Sequence, residues 1–268
     1  MYNKLFSVFG LASVLFLISC EKVIDVQLNE ADKKYVIEGT VSNIAGSPAE
    51  VRISQTKAFN ENSNFTGITG AVVTIQLNNS TTYTLSETAA GIYKSSAFTG
   101  IPGNTYSLKV KIGTAEFTSV CTMPLQLVLL DTVTVDNFAF GGSSSKILVP
   151  SYQDPAGKGN SYRFIQYNNA IQVKQVFVYN DDLSDGLRST RPLANPGATS
   201  NEELKAGDIA RVDMFCIAPE VYKYWYSLDQ AATGSSSATP ANPVTNIVGG
   251  ALGYFSAHSV SSKTIRVP

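Results

Sequence analysis

The chain has 268 residues, a formal net charge of −1 and 15% charged side chains, against about 25% in an ordinary soluble domain. That balance excludes the concentrated basic face nucleic acid requires. One His and three Cys exclude most imidazole- or thiolate-rich metal sites and leave a single imidazole for base catalysis. The length suits two domains. With 13 Tyr and 13 Phe among abundant Ser, Thr, Asn and Gly, the expected class is all-β, because aromatic and β-branched side chains pack well on a pleated surface.

Residues 1–19 read as a signal peptide. Lys4 supplies a positive start, and Leu5 to Ile18 form an apolar stretch too short for a membrane span of about 20 residues. The stretch ends in Leu17-Ile18-Ser19-Cys20, which resembles the bacterial lipobox. The resemblance implies cleavage before Cys20 and acylation of its thiol and new amino terminus, so Cys20 is the expected lipidation site and the membrane an expected partner. Several acyl chains, each CH₂ worth about 0.8 kcal/mol, anchor far more firmly than one myristoyl group. Residues 20–34 follow as a polar tether carrying Glu21, Asp25, Glu30 and Asp32. Acidic residues there resemble surface-export signals of Bacteroidota lipoproteins, so the expected location is the outer membrane, at the cell surface.

From Tyr35 the hydrophobic period is two. Tyr106, Leu108, Val110 and Ile112 share one face, and Ser107, Lys109 and Lys111 the other, the pattern of half-buried antiparallel strands. Similar runs at Tyr35–Val41, Val51–Ile53 and Val73–Leu77, separated by Gly-, Pro- and Asn-containing turns, predict an immunoglobulin- or transthyretin-like β-sandwich over residues 35–124. Within it, 56–70 is a polar loop too long for a plain hairpin.

Residues 125–268 are expected to form a second antiparallel β-sandwich. Strands are predicted at 146–149, 162–167, 172–179, 208–217, 254–259 and 263–267, and Gly141–Ser145 reads as a flexible loop. The one good helix begins at Pro219, a favoured first helical position, and runs to about residue 231. Val221, Trp225 and Leu228 form its inward stripe at i, i+4 and i+7. Residues 233–250 read as a long architectural loop.

Candidate chemistry is sparse. Ser256 and Ser259 flank His258, but no Gly-x-Ser-x-Gly elbow accompanies them, and no catalytic residue is assigned. Asp181, Asp182 and Asp185 precede Gly186 and superficially suit Ca²⁺, yet the EF-hand spacing and distal Glu are missing; a β-turn with local backbone bonds is the favoured reading. Cys121 and Cys216 are expected to be inward-facing thiols, with a disulfide between them as the alternative. No cofactor is expected. A partner surface is expected where aromatic side chains stand in polar, adaptable surroundings. Phe59 and Phe65 in the 56–70 loop, with Tyr224 and Tyr226 on the helix, are the candidates.

An ordered set of motifs resembles a family of Bacteroidota outer-membrane lipoproteins of unknown function, the DUF4249 type. The set includes Val36-Ile37-Glu38-Gly39, Pro102-Gly103-Asn104-Thr105-Tyr106, Asp154-Pro155, Tyr162-Arg163-Phe164 and Gly249-Gly250-Ala251-Leu252-Gly253-Tyr254-Phe255. The resemblance implies a lipoprotein working beside a TonB-dependent transporter and no known reaction. Asp131-Thr132-Val133 also resembles a short Bacteroidota O-glycosylation acceptor. The leading expectation is a non-enzymatic binding or accessory module of a transport or outer-membrane complex. The alternatives are a lipid-anchored hydrolase or carbohydrate-active enzyme, for which no carboxylate pair stands out, and a structural or adhesive surface protein.

Overall fold

The alternation along β6 (Thr105–Ile112) buries Tyr106, Leu108 and Val110 and turns Lys109 and Lys111 to solvent. A computed structural model describes residues 32–57, 61, 64–140, 143–195, 197–199, 202–233 and 241–268. The expected cleavage and lipidation segment up to Cys20, and Phe59, lie outside the described residues. The fold is mostly β-sheet with one helix among the described residues, and the sheets do not close into a barrel.

Before β6 come β1 (Tyr35–Ser42), β2 (Ala49–Gln55), β3 (Val72–Leu77), β4 (Thr81–Ala89) and β5 (Ile92–Ser95); β7 (Ala115–Thr122) follows it. Their core contains Ile37, Val51, Ile53, Val73, Ile75, Tyr93, Tyr106 and Phe117. Strand β4 serves two neighbours. Thr81–Leu85 pair with β3, and Ser86–Ala89 pair with β5 across an irregularity between Glu87 and Ala89. A bulge of this kind bends a strand and lets it turn a sheet's corner.

A second core gathers Leu130, Leu148, Tyr152, Tyr162, Phe164, Val212 and Met214. These come from β8 (Leu130–Phe140), β9 (Ser143–Gln153), β10 (Ser161–Asn168) and β14 (Ile209–Ile217). Short strands β11 (Ile171–Gln172) and β12 (Phe177–Asn180) flank β10, and β13 (Arg188–Thr190) flanks β9. The expected strand over 172–179 is therefore two strands, parted between Gln172 and Phe177, after the Val173 amide makes a last bond to the Gln166 carbonyl of β10. The expected loop at Gly141–Ser145 is shorter, because Ser143 already pairs with Phe140.

The two expected C-terminal strands are one, β15 (Leu252–Arg266). Its first half runs parallel to β1, from Leu252 opposite Val36 to His258 opposite Ser42. Its second half runs antiparallel to β14. The expected segments 35–124 and 125–268 thus meet in a single strand that serves both cores, and Lys33–Pro268 form one compact unit.

Two glycines make that junction possible. A Cβ on Gly253, at φ 99°, would stand 2.0 Å from the Ile37 carbonyl oxygen; one on Gly249, at φ 107°, would stand 2.6 Å from that of Glu116. Between them and the helix, Asn246 clamps the Phe255 backbone through Nδ2 to O at 2.8 Å and Oδ1 from N at 2.9 Å. Val248 exchanges two backbone bonds with Thr118. The described part of the 233–250 loop therefore straps β15 to β7.

Candidate binding cleft

Pro124 ends the regular structure of the first core, and the chain crosses to the second in an extended link. Along it Val128 and Leu130 turn inward, while Leu125, Leu127 and Leu129 remain 76%, 47% and 59% exposed. This link rims two hollows. One, of about 420 Å³, lies against Gln153 and Pro155. The other, of about 500 Å³, opens between the link, the loop from β9 to β10, and the start of α1 (Pro219–Thr233), within the size range of small-molecule sites. Its apolar wall includes Leu125, Val128 and Ile217, and Lys158 and Glu220 bring opposite charges to it. Sequence reasoning missed this cleft, because its walls come from three separate segments, from Thr122 to Val128, Lys158 to Tyr162 and Cys216 to Glu220.

Beside the cleft lies a carboxylate knot. One carboxylate oxygen from each of Asp154, Asp181 and Asp185 falls within 4.8 Å of the others. Asp181 accepts from the Gly159 and Asn160 amides, Asp185 from the Gly157 amide, and Asp154 from the Tyr162 hydroxyl and Gly186 amide. Each carboxylate thus fastens backbone of a loop distant in the chain, where the turn reading expects local bonds. Asp182 is not part of the group; it is exposed and accepts from Asn180 Nδ2. Asp154, 27 residues before Asp181, takes its place.

Helix α1 docks on the outer face of the large sheet. Val221 is fully buried and Leu228 packs against the core. Tyr224, expected at a partner surface, is only 8% exposed. It sits three residues after Val221, on the same face, with its ring 4.8 Å from that of Tyr254. Tyr226 does stand out, 47% exposed and stacked on Tyr222. Phe65 is 53% exposed on its loop.

Under the helix, Arg163 lies 3.4 Å from the Trp225 ring centroid, and burial lowers its pKa from the ordinary guanidinium value. Glu38 faces the same layer, its pKa raised by burial against the opposing pull of Arg52 and Arg163. His258 is buried, edge-on to Phe215 at 5.1 Å, with Nδ1 2.9 Å from Ser256 Oγ. Burial, with the nearby Arg163 charge, holds its pKa down at about 3. Its flanking Ser259 is buried too, and its hydroxyl finds no hydrogen-bond partner among the described residues.

Cys121 and Cys216 are both free and buried, so the disulfide alternative is not realised. Cys121 sulfur accepts the Ala257 amide at 3.2 Å; burial pushes its thiol up to about 12, with Glu220 adding to the rise. The Cys216 thiol donates to the Val128 carbonyl and is also raised by burial. Neither is prepared as a nucleophile, which requires a depressed pKa.

Residues 21–264 match the family described as Domain of unknown function (DUF4249). The chain belongs to that family. No curated protein matches it. In this DUF4249 member the motifs quoted from the sequence fall at structural joints. Gly249 and Gly253 seat β15, Asp154 ties the cleft-side loops, and Arg163 lies under the helix.

Proposed function

We propose that the chain is an outer-membrane lipoprotein of the Bacteroidota type, held by acyl chains on Cys20. It acts as a non-enzymatic binding or accessory module of a TonB-dependent transport or other outer-membrane complex. In the same reading, the two cores are two β-sandwiches that share β15, antiparallel except where β15 runs parallel to β1.

The observation that carries this reading is the placement of the cleft relative to the chain's entry. The compact unit begins at Lys33, two residues before the start of β1 at Tyr35. The cleft opens beside Pro124, at the far end of β1. There Gly100 donates to the Ser42 carbonyl, and its position packs within 2.5 Å (as a built Cβ) of the Met123 side chain. Eight residues of strand separate the two ends by about 26 Å. The cleft, with the exposed Leu125 on its wall, therefore opens at the end of β1 opposite to Lys33. Mild-detergent extraction and pull-down of the native protein tests the reading. A β-barrel transporter should co-purify, and its absence from every extract would point instead to an adhesive or structural role.

A further inference from the structure

We propose that the 500 Å³ cleft holds a compact zwitterion with an apolar body, the chemistry of a free hydrophobic amino acid or dipeptide. The inference deepens the accessory reading by giving the module a ligand to present.

Three features of the walls carry it. First, Leu125, Val128 and Ile217 line the cleft; Val128 and Ile217 are buried in the cores behind it, and Leu125 offers the open apolar area, which gains free energy when a ligand covers it. Leu125 has no such cover, being 76% exposed. Second, the cleft receives one cation and one anion from separate elements, Lys158 from the β9–β10 loop and Glu220 from the first turn of α1. Among the described residues neither forms an ion pair. Asp181 and Asp185, the carboxylates that hold the loop around Lys158, are engaged by the Gly157, Gly159 and Asn160 amides. Third, Asn160 is oriented by Nδ2 bonds to the Pro155 and Gly157 carbonyls, which leaves its carbonyl oxygen as a fixed acceptor at the cleft wall.

A ligand of single charge would satisfy one of the two groups and strip water from the other, a cost without return. A neutral apolar ligand would do so to both. A molecule with a carboxylate for Lys158 and an ammonium for Glu220 and the Asn160 oxygen pairs each of them, while its side chain meets Leu125. The ligand's own two charges thus become the specificity test, since a site that pairs a polar group rejects analogues lacking it.

Full-length protein, purified in detergent, is titrated calorimetrically with L-leucyl-L-leucine, its N-acetyl form and its C-terminal amide. The free dipeptide should bind saturably, and each blocked form about tenfold more weakly or worse, equivalent to about 1.4 kcal/mol per lost charge. Lys158→Met should bind the free and amidated forms alike, and Glu220→Gln the free and acetylated forms alike. Both variants should keep the wild-type melting temperature without ligand. No saturable binding of the dipeptide, or equal binding of all three forms, overturns the proposal. That failure would leave the transporter pull-down untouched, so the two readings fail separately.

Discussion

The Arg163 guanidinium and the Trp225 ring lie face to face, 3.4 Å from charge centre to ring centroid. The pair fastens α1 to the sheet through a cation held under the helix. A cation on an indole face is worth about 2 kcal/mol when desolvated, and the ring adds its own buried area.

Trp225→Ala should therefore cost about 3–5 kcal/mol of unfolding free energy, and Trp225→Phe clearly less. The chain has one Trp, so urea unfolding of the variants is followed by circular dichroism, while Trp225 fluorescence reports the wild type. A loss below about 1 kcal/mol for the Ala variant would mean that the helix does not depend on this contact.

Gly253→Ala should be among the most damaging single substitutions. The positive φ costs about 1–3 kcal/mol for a residue with a Cβ, and the Ile37 carbonyl 2.0 Å away cannot give without breaking the β1–β15 register. Gly250, at φ 89° with open space around it, is the matched control and should lose only the backbone term. Equal melting temperatures for the two variants would contradict this account of the parallel junction.

How much of this was legible in the sequence depends on whether a feature is local. The β6 alternation and the helix start at Pro219 were readable because each is written in consecutive residues. The i+3 position of Tyr224 was also readable from Val221, and taking only i+4 and i+7 left that tyrosine on the wrong face. The pairing of β15 with β1 was not readable. Both strands alternate, but nothing local tells Leu252 that its neighbour is Val36. Nor could the knot be assembled from Asp181, Asp182 and Asp185, since its third member comes from the end of β9.

His258 gives the stability a pH dependence. Its folded pKa is about 3 and its unfolded value about 6.5, so between these the unfolded chain binds the extra proton. Stability is full above about 6.5 and falls as pH drops towards 3, by up to about 1.4 kcal/mol per pH unit from this group. The wild type should show a steeper acid loss than His258→Gln in parallel urea titrations. The imidazole resonances of this lone His should stay in the neutral position from pH 7 to about pH 4.5. A midpoint near 6.5 would show the ring to be solvated.

Removing the carboxylate that holds two amides should loosen the cleft-side loop. Asp181→Ala is expected to cost about 1–3 kcal/mol, whereas Asp182→Ala, on the exposed side of the same turn, should stay within about 0.5 kcal/mol. Amide hydrogen exchange at Gly159 and Asn160 should rise in the first variant only. Matching losses in both would mean that the turn, not the knot, sets the stability.

The central claim is that the face carrying the cleft meets an outer-membrane partner while Cys20 holds the chain to the bilayer. It is tested most directly by placing a photo-crosslinking amino acid at Leu127, 47% exposed beside the cleft, in cells expressing the full chain. A matched position at Lys263, exposed on β15, serves as the control. The account predicts a defined adduct with a β-barrel transporter from Leu127 and none from Lys263. Adducts of equal yield from both positions, or lipid adducts alone from Leu127, would contradict it.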